Sequence, residues 1–267
     1  MLNIKNKILT LKLILITVLF TVLLVSCNKC KKKYYSNGSI EFERCEQVNS
    51  KLIKVTQFDL RGNIISLTYE NEYGNRDSIG TYFNAKGTKE KTITFKNGHY
   101  TGKVTLFYSN GNIREILNLL DGKLNGKCTF FNLDGIINKI LYYKIINNES
   151  IVNSILVFDK PKVINKDSTM YADILLKKDT VLINDYINFE FIYFNPSGLA
   201  SIEYANFDKN FNIQDSSTIK YLNDSNSPFK IKATKKGNDT LRVIYKIQDL
   251  KTKMLYPIYL EKPFYVK

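Results

Sequence analysis

One histidine in the whole chain leaves little acid–base or metal chemistry to build on. His99 is that histidine, and it stands in Asn97-Gly98-His99-Tyr100, a turn sequence. A general base needs a positioned partner, and nothing around His99 supplies one. Apart from Cys27, the three cysteines Cys30, Cys45 and Cys128 show no CxxC spacing among themselves and no neighbouring His, so they form none of the usual zinc and dithiol motifs. No serine occupies a G-x-S-x-G elbow and no glycine-rich phosphate loop leads into a helix. Asp208-Lys209-Asn210-Phe211-Asn212 opens like a calcium loop. It lacks glycine at the sixth place and has Ile219 at the twelfth, where glutamate is required, so it reads as a polar hairpin turn. The expectation is a protein that is not an enzyme and carries no cofactor and no metal.

A long hydrophobic run is also missing. Lys5, Lys7 and Lys12 are followed by an uncharged stretch from Leu13 to Ser26, 14 residues. A spanning helix needs about 20. A basic stretch, an apolar stretch and a small residue before a cut form a secretory signal. The run closes on Leu24-Val25-Ser26-Cys27, which resembles the bacterial lipobox. That resemblance implies removal of residues 1–26 and acylation of Cys27. Two or three acyl chains, at about 0.8 kcal/mol per buried methylene, hold a protein on a membrane where one is marginal.

Cleavage takes Lys5, Lys7 and Lys12 with it, so the formal charge falls from +14 to +11. A basic surface suits phospholipid, lipopolysaccharide or acidic glycan. The scatter of the lysines favours plain codon bias, except for Lys29, Lys31, Lys32 and Lys33. Those four follow the anchor in a tether, 27–33, and are expected against the head groups. Nothing in the pattern indicates nucleic acid as a partner. Of the remaining cysteines, Cys30, Cys45 and Cys128, an odd number gives no disulfide framework. Cys45 and Cys128 read as buried strand residues.

The clearest pattern is a repeat. Aromatics stand four residues before a glycine at Tyr34–Gly38, Phe58–Gly62, Phe83–Gly87, Phe107–Gly111 and Phe131–Gly135, with glycine spacings of 24, 25, 24 and 24. A second series, Gly74, Gly98 and Gly122, falls between them, with Asn49 in the equivalent slot before Gly62 and Asn147 or Asn148 ending the last unit. Turns every 11 to 13 residues, separated by Ile, Val, Thr, Tyr and Phe, predict one β-hairpin per unit. Ile40, Ile64, Ile113 and Ile137 recur two residues after the glycine and predict an apolar ridge; Lys89 breaks it.

The best units run Asn97-Gly98-His99-Tyr100-Thr101-Gly102 to Asn110-Gly111-Asn112-Ile113, then Asp121-Gly122-Lys123-Leu124-Asn125-Gly126 to Asp134-Gly135-Ile136-Ile137. They resemble the MORN-variant, antitoxin-like repeat of exported Bacteroidetes proteins, over residues 34–150. The resemblance implies a scaffold fold and no catalytic residues. Tryptophan, frequent in that pattern, is absent.

After residue 150 the rhythm stops. Residues 151–170, with Pro161 and several charges, are expected to form a linker. Seven short strands with turn signals between them follow in 171–267 and predict an immunoglobulin-like β-sandwich. A sheet extending the repeat is the rival. The fold class is therefore all-β: a repeat β-hairpin meander followed by an immunoglobulin-like β-sandwich.

Tyr35 and Tyr108 follow ladder aromatics, so each doublet sends rings to opposite faces of a strand. With Lys103, Lys123 and Lys127 they form the candidate binding residues; Cys27 is the lipidation site. The reading is a membrane-anchored, non-catalytic scaffold in the cell envelope that binds another envelope protein. The alternative is a glycan- or anionic-lipid-binding module that uses the rings and lysines of the repeat face. If Lys103, Lys123 and Lys127 share a face with exposed rings, the alternative gains; a flat apolar face favours the scaffold. No acidic stretch follows Cys27, which is what surface-exported lipoproteins of this type carry. The expected location is the outer membrane, facing the periplasm.

Overall fold

A computed structural model describes residues 29–47, 50–194, 198–222, 229–249 and 252–267. The expected signal peptide, Cys27 and the Asn49 slot lie outside the described residues. Among the described residues the structure is all-β, apart from one 3-10 turn at Lys166–Ser168. Among the described residues, no helix is long and apolar enough to cross a membrane. The described residues divide into two compact units, one up to residue 87 together with 96–98, the other 88–95 together with 99–267.

The first unit holds an antiparallel meander of β1 (Cys30–Tyr34), β2 (Ile40–Glu46), β3 (Ile53–Phe58), β4 (Ile64–Glu70) and β5 (Ser78–Phe83). Its turns repeat one geometry. The Gly62 amide donates to the Asp59 carbonyl at 3.0 Å, and the Asp59 amide donates to Asn63 at 2.8 Å. Gly62 sits at φ 85, and the register slips between Gln57 and Phe58. This is a turn closed by a left-handed residue that bulges the strand, a task glycine performs without a Cβ clash. The Asn71–Asn75 turn has the same hydrogen bonds. Gly74 therefore belongs to the bulged class, whereas Asn97-Gly98, with φ of 50 and 87, is a two-residue turn. From Gly74 to Gly80 the spacing is six residues, against four from Gly98 to Gly102 and from Gly122 to Gly126.

Cys45 is not a buried hydrophobe. It is bonded to Cys30, its direct partner across β1 and β2. The cysteines lie almost equally far from the Gly38 turn, so the hairpin register brings them face to face. Cys128 is fully buried, as expected, and its thiol is free.

The second unit holds β6 (Lys89–Lys96), β7 (His99–Phe107), β8 (Ile113–Leu120), β9 (Lys123–Leu124), β10 (Gly126–Phe131), β11 (Ile137–Ile146), β12 (Glu149–Lys160) and β13 (Val163–Ile164). The order is β6-β7-β8-β10-β11-β12-β13, with β9 beside β8. The ridge isoleucines each face a ladder aromatic: Phe107 opposite Ile113 and Phe131 opposite Ile137. Lys89 departs from the rule by placing its ammonium 5.4 Å from the centre of the Phe107 ring, a cation–π contact. One face buries Ile93, Val104 and Cys128, and the other buries Thr105 and Thr129.

Residues 151–170 are not a linker. Residues 149–160 form a twelve-residue strand paired with β11 from Lys139 to Ile146. A two-residue turn at Asn147-Asn148, with φ of 49 and 67, starts it. Asparagine tolerates that backbone, so a further hairpin forms without a glycine signal.

The sandwich comprises β14 (Tyr171–Leu176), β15 (Thr180–Val181), β16 (Tyr186–Phe194), β17 (Gly198–Phe207), β18 (Ile213–Leu222), β19 (Phe229–Lys232), β20 (Gly237–Asp249) and β21 (Leu255–Val266). One sheet runs β14-β16-β19 and the other β15-β21-β20-β17-β18, with β15 and β21 parallel. The consecutive strands β14 and β15 thus join different sheets. The core is Ile187, Phe189, Ile202, Val243, Tyr245, Ile258 and Val266, all at 2 % exposure or less. Within the β14-β16-β19 sheet Phe189 stacks on Phe229 at 5.5 Å and Phe191 meets Phe229 edge-on at 5.2 Å, and between the sheets Phe191 meets Tyr245 at 6.0 Å.

Candidate binding surface

The tyrosines of the repeat are tied into the ladder. Tyr35 donates its hydroxyl to the Phe58 carbonyl at 2.8 Å, and Tyr108 donates to the Phe131 carbonyl at 2.7 Å. Each bond spans 23 residues, from one hairpin to the next. Both rings are half-buried, while the neighbouring Tyr34 is 54 % exposed. The amides of Asn110 and Asn112 add two more ties, to the Leu133 carbonyl at 3.2 and 2.8 Å. Repeated polar side chains thus satisfy carbonyls that the bulges leave open.

Lys123 behaves in the same way. Its ammonium donates to the Asn148 carbonyl at 2.8 Å and also to the Asn148 side chain, which fixes the next two-residue turn. Lys103 and Lys127 are different, because both are exposed. Lys103 lies opposite Asn118, the Asn118 amide donates to the Lys127 carbonyl, and Lys127 lies opposite Tyr142. Paired residues share a face of the sheet, so Lys103, Asn118, Lys127 and Tyr142 form one row. The ring in that row is Tyr142, which packs on Tyr171 of the sandwich with centroids 5.8 Å apart. The face is neither flat and apolar nor a platform of open rings; it is a polar row that ends at the sandwich.

Sequence reasoning missed what lies at that end. Asn153 of β12 places its side-chain oxygen 2.7 Å from the Tyr259 amide and donates its own amide to the Tyr259 carbonyl at 3.1 Å. A carboxamide thereby closes part of the β21 edge. Beside it, Lys144 pairs with Glu261 at 2.7 Å and Lys262 with Asp173 at 3.1 Å. Ile146 of β11 enters a small core with Ala205, Phe207, Phe211 and Ile244.

Phe211 sits at φ 61 in the Asp208–Asn212 turn. That turn has the hydrogen bonds of the repeat turns, with phenylalanine where they carry glycine. Its buried ring, 4.9 Å beneath the Lys144 ammonium, compensates for an unfavourable backbone. The hairpin-turn reading of this segment is the observed one.

Between these contacts lies a cleft of ≈ 190 Å³, lined by Tyr142, Lys144, Asn153, Tyr171, Asp173 and Glu261 among others. Burial, with the Asp173 charge second, pushes the Tyr171 phenol up to about 12. The same two causes raise Tyr142. Both phenols are therefore neutral hydrogen-bonding groups near neutral pH, and Asp173 and Glu261 are held in ion pairs. The arrangement suits recognition of a polar group more than proton transfer. His99 is exposed at the start of β7. No protein-family model matches the chain, and no curated protein matches it.

Proposed function

We propose that the protein is a lipid-anchored interaction scaffold of the cell envelope. In this reading Cys27 carries the acyl chains, and the MORN-variant-like hairpins with their immunoglobulin-like module present a fixed surface to another envelope protein. The supporting observation is the exposed pair Lys103 and Lys127, on one face and one repeat apart, on hairpins cross-tied by Tyr108, Asn112 and Lys123. The lysines still lose rotamer entropy on binding, but the backbone that carries them is already ordered, so binding carries no cost for ordering the hairpins.

The test is a photocrosslinking side chain placed at Lys103 or Lys127 in living cells. Crosslinking to one protein from both positions, and not from Lys162 on the β12–β13 turn, supports the scaffold. Equal, diffuse labelling from all three positions removes it. A glycan-binding alternative draws on one observation, the cleft where the lysine row reaches Tyr142 and Tyr171. Equilibrium binding of acidic envelope oligosaccharides, lost in Tyr142→Ala, would favour it.

A further inference from the structure

One end of the sandwich gathers β14, β19 and β21 as they finish and β16 and β20 as they begin. Tyr186 is the register partner of Lys232, and Gly237 of Val266. Hydrogen bonds bind the loops of this end into one platform. Ile183 donates to Lys267 at 3.1 Å, Asn184 donates to Ala233 at 2.8 Å, and Ala233 donates to Asp185 at 2.8 Å. At its apex Asp185 donates back to Leu182 at 3.0 Å. Asn184 takes the left-handed φ of 68 that such a turn requires at its third position. The apex therefore holds Leu182 at 62 % exposure beside Ile183 at 38 %, two aliphatic side chains on a braced turn.

Around this apex the charge is mostly positive. Lys177, Lys178, Lys232, Lys235, Lys236 and Lys267 all stand on the same end and are exposed. Lys177 pairs with Glu190 at 2.6 Å. Among the described residues no ion pair engages the other five. The acids of this end, Asp179, Asp185 and Asp239, each accept from a neighbour one residue on: the Thr180 hydroxyl and the Tyr186 and Thr240 amides. A cavity of ≈ 460 Å³ opens behind the apex, lined by Lys177, Lys178, Leu182, Tyr186 and Lys267 among others, with Asp185 the one acid among the described residues of its wall.

We infer that this end of the sandwich is a second membrane contact, which docks on anionic phospholipid. Leu182 and Ile183 enter the acyl boundary, and the cavity behind them receives an anionic head group between Lys178 and Lys267. Aliphatic residues at the apex with lysines behind them match the layering of a bilayer, where apolar tails lie beneath anionic head groups. A small soluble anion would explain the lysines but leave the exposed Leu182 without a role. A protein groove for Leu182 would not require five unpaired lysines around it. The contact is separate from Cys27 and does not depend on its acylation.

The test uses residues 28–267, which contain every described element and no acyl anchor. Since the chain has no tryptophan, Leu182→Trp provides a single reporter. With vesicles of equal parts phosphatidylglycerol and phosphatidylcholine, its emission should move to the blue and be quenched by lipids brominated on the acyl chains. Pure phosphatidylcholine should give neither effect, and high salt should reverse binding. Flotation of the otherwise unaltered chain should fall roughly fivefold for each of Lys178→Gln and Lys236→Gln. It should also be lost in Leu182→Ser/Ile183→Ser, with an unchanged circular dichroism spectrum as the check on folding. Emission that is the same in both vesicle types, or flotation indifferent to the lysine variants, would overturn the inference. Capture of a protein at Leu182 without vesicle binding would replace lipid with a protein partner.

Discussion

Asn153→Ala should uncouple the last repeat strand from the sandwich. The side chain is 9 % exposed and makes two hydrogen bonds to the Tyr259 backbone, at 2.7 and 3.1 Å, across 106 residues of sequence. Each such bond contributes about 1 kcal/mol, and a backbone group left without a partner costs about 1–3 kcal/mol. The expected loss is about 2–4 kcal/mol, a large part of the roughly 5–15 kcal/mol that holds a domain folded. Urea unfolding measures the loss, and hydrogen exchange at the Tyr259 amide locates it. Asn153→Asp adds a signature: it sets a carboxylate against the Tyr259 carbonyl, so the acid form is favoured in the fold. That raised pKa makes the variant most stable at low pH, with stability lost as pH rises through it. A loss below about 0.5 kcal/mol for Asn153→Ala, with Tyr259 still protected, would refute the reasoning.

Tyr108→Phe removes one tie between hairpins and should lower stability by about 1 kcal/mol in urea unfolding, with the ring packing kept. Cys30→Ser/Cys45→Ser opens a link that spans 15 residues; chain-entropy reasoning puts the loss near 3 kcal/mol, read as earlier unfolding of the first unit. The Asp208 carboxyl is held below 3.8, first by the Asn212 amide. A depressed carboxylate stabilises above its unfolded value and loses that effect as pH falls through the folded one. Acid unfolding followed below pH 3.8 should therefore differ between the unaltered chain and Asp208→Asn. Tyr171, raised to about 12, has the opposite sense: its effect is complete below its ordinary value of 10.0 and is lost as pH rises. Tyr171→Phe should flatten the alkaline limb of a stability–pH curve.

The repeat was legible in the sequence because its turns require one backbone conformation at one point, and glycine marks it. Gly38, Gly62, Gly111 and Gly135 all take left-handed φ near 85. Where another residue does that work, the signal fades. Asn147-Asn148 starts a hairpin that reads as a terminus, so β12 was missed and a linker expected. Phe211 occupies a glycine slot because its ring is needed in a core, which no local pattern reveals. The two-residue strand β15 is too short to show periodicity.

The Cys30–Cys45 pair could have been found, since the two residues are almost equidistant from the Gly38 turn and a hairpin must bring them together. For the candidate surface, the lysines at 24-residue spacing were visible. The hydroxyl bonds of Tyr35 and Tyr108 and the ammonium bonds of Lys123 depend on what the adjacent hairpin offers. The Asn153 pin joins residues 106 apart, and nothing in either segment announces the other.

The most direct measurement is reversible crosslinking of the acylated protein in living cells, followed by quantitative identification of what co-purifies. Lys103→Glu/Lys127→Glu and Cys27→Ala serve as the compared forms. A scaffold should capture one envelope protein in near-equal amount, lose it in the double lysine variant, and become releasable from the membrane by high salt in Cys27→Ala. If no protein is enriched, or if the same one is captured with Lys103 and Lys127 reversed in charge, the surface assigned here is not a scaffold.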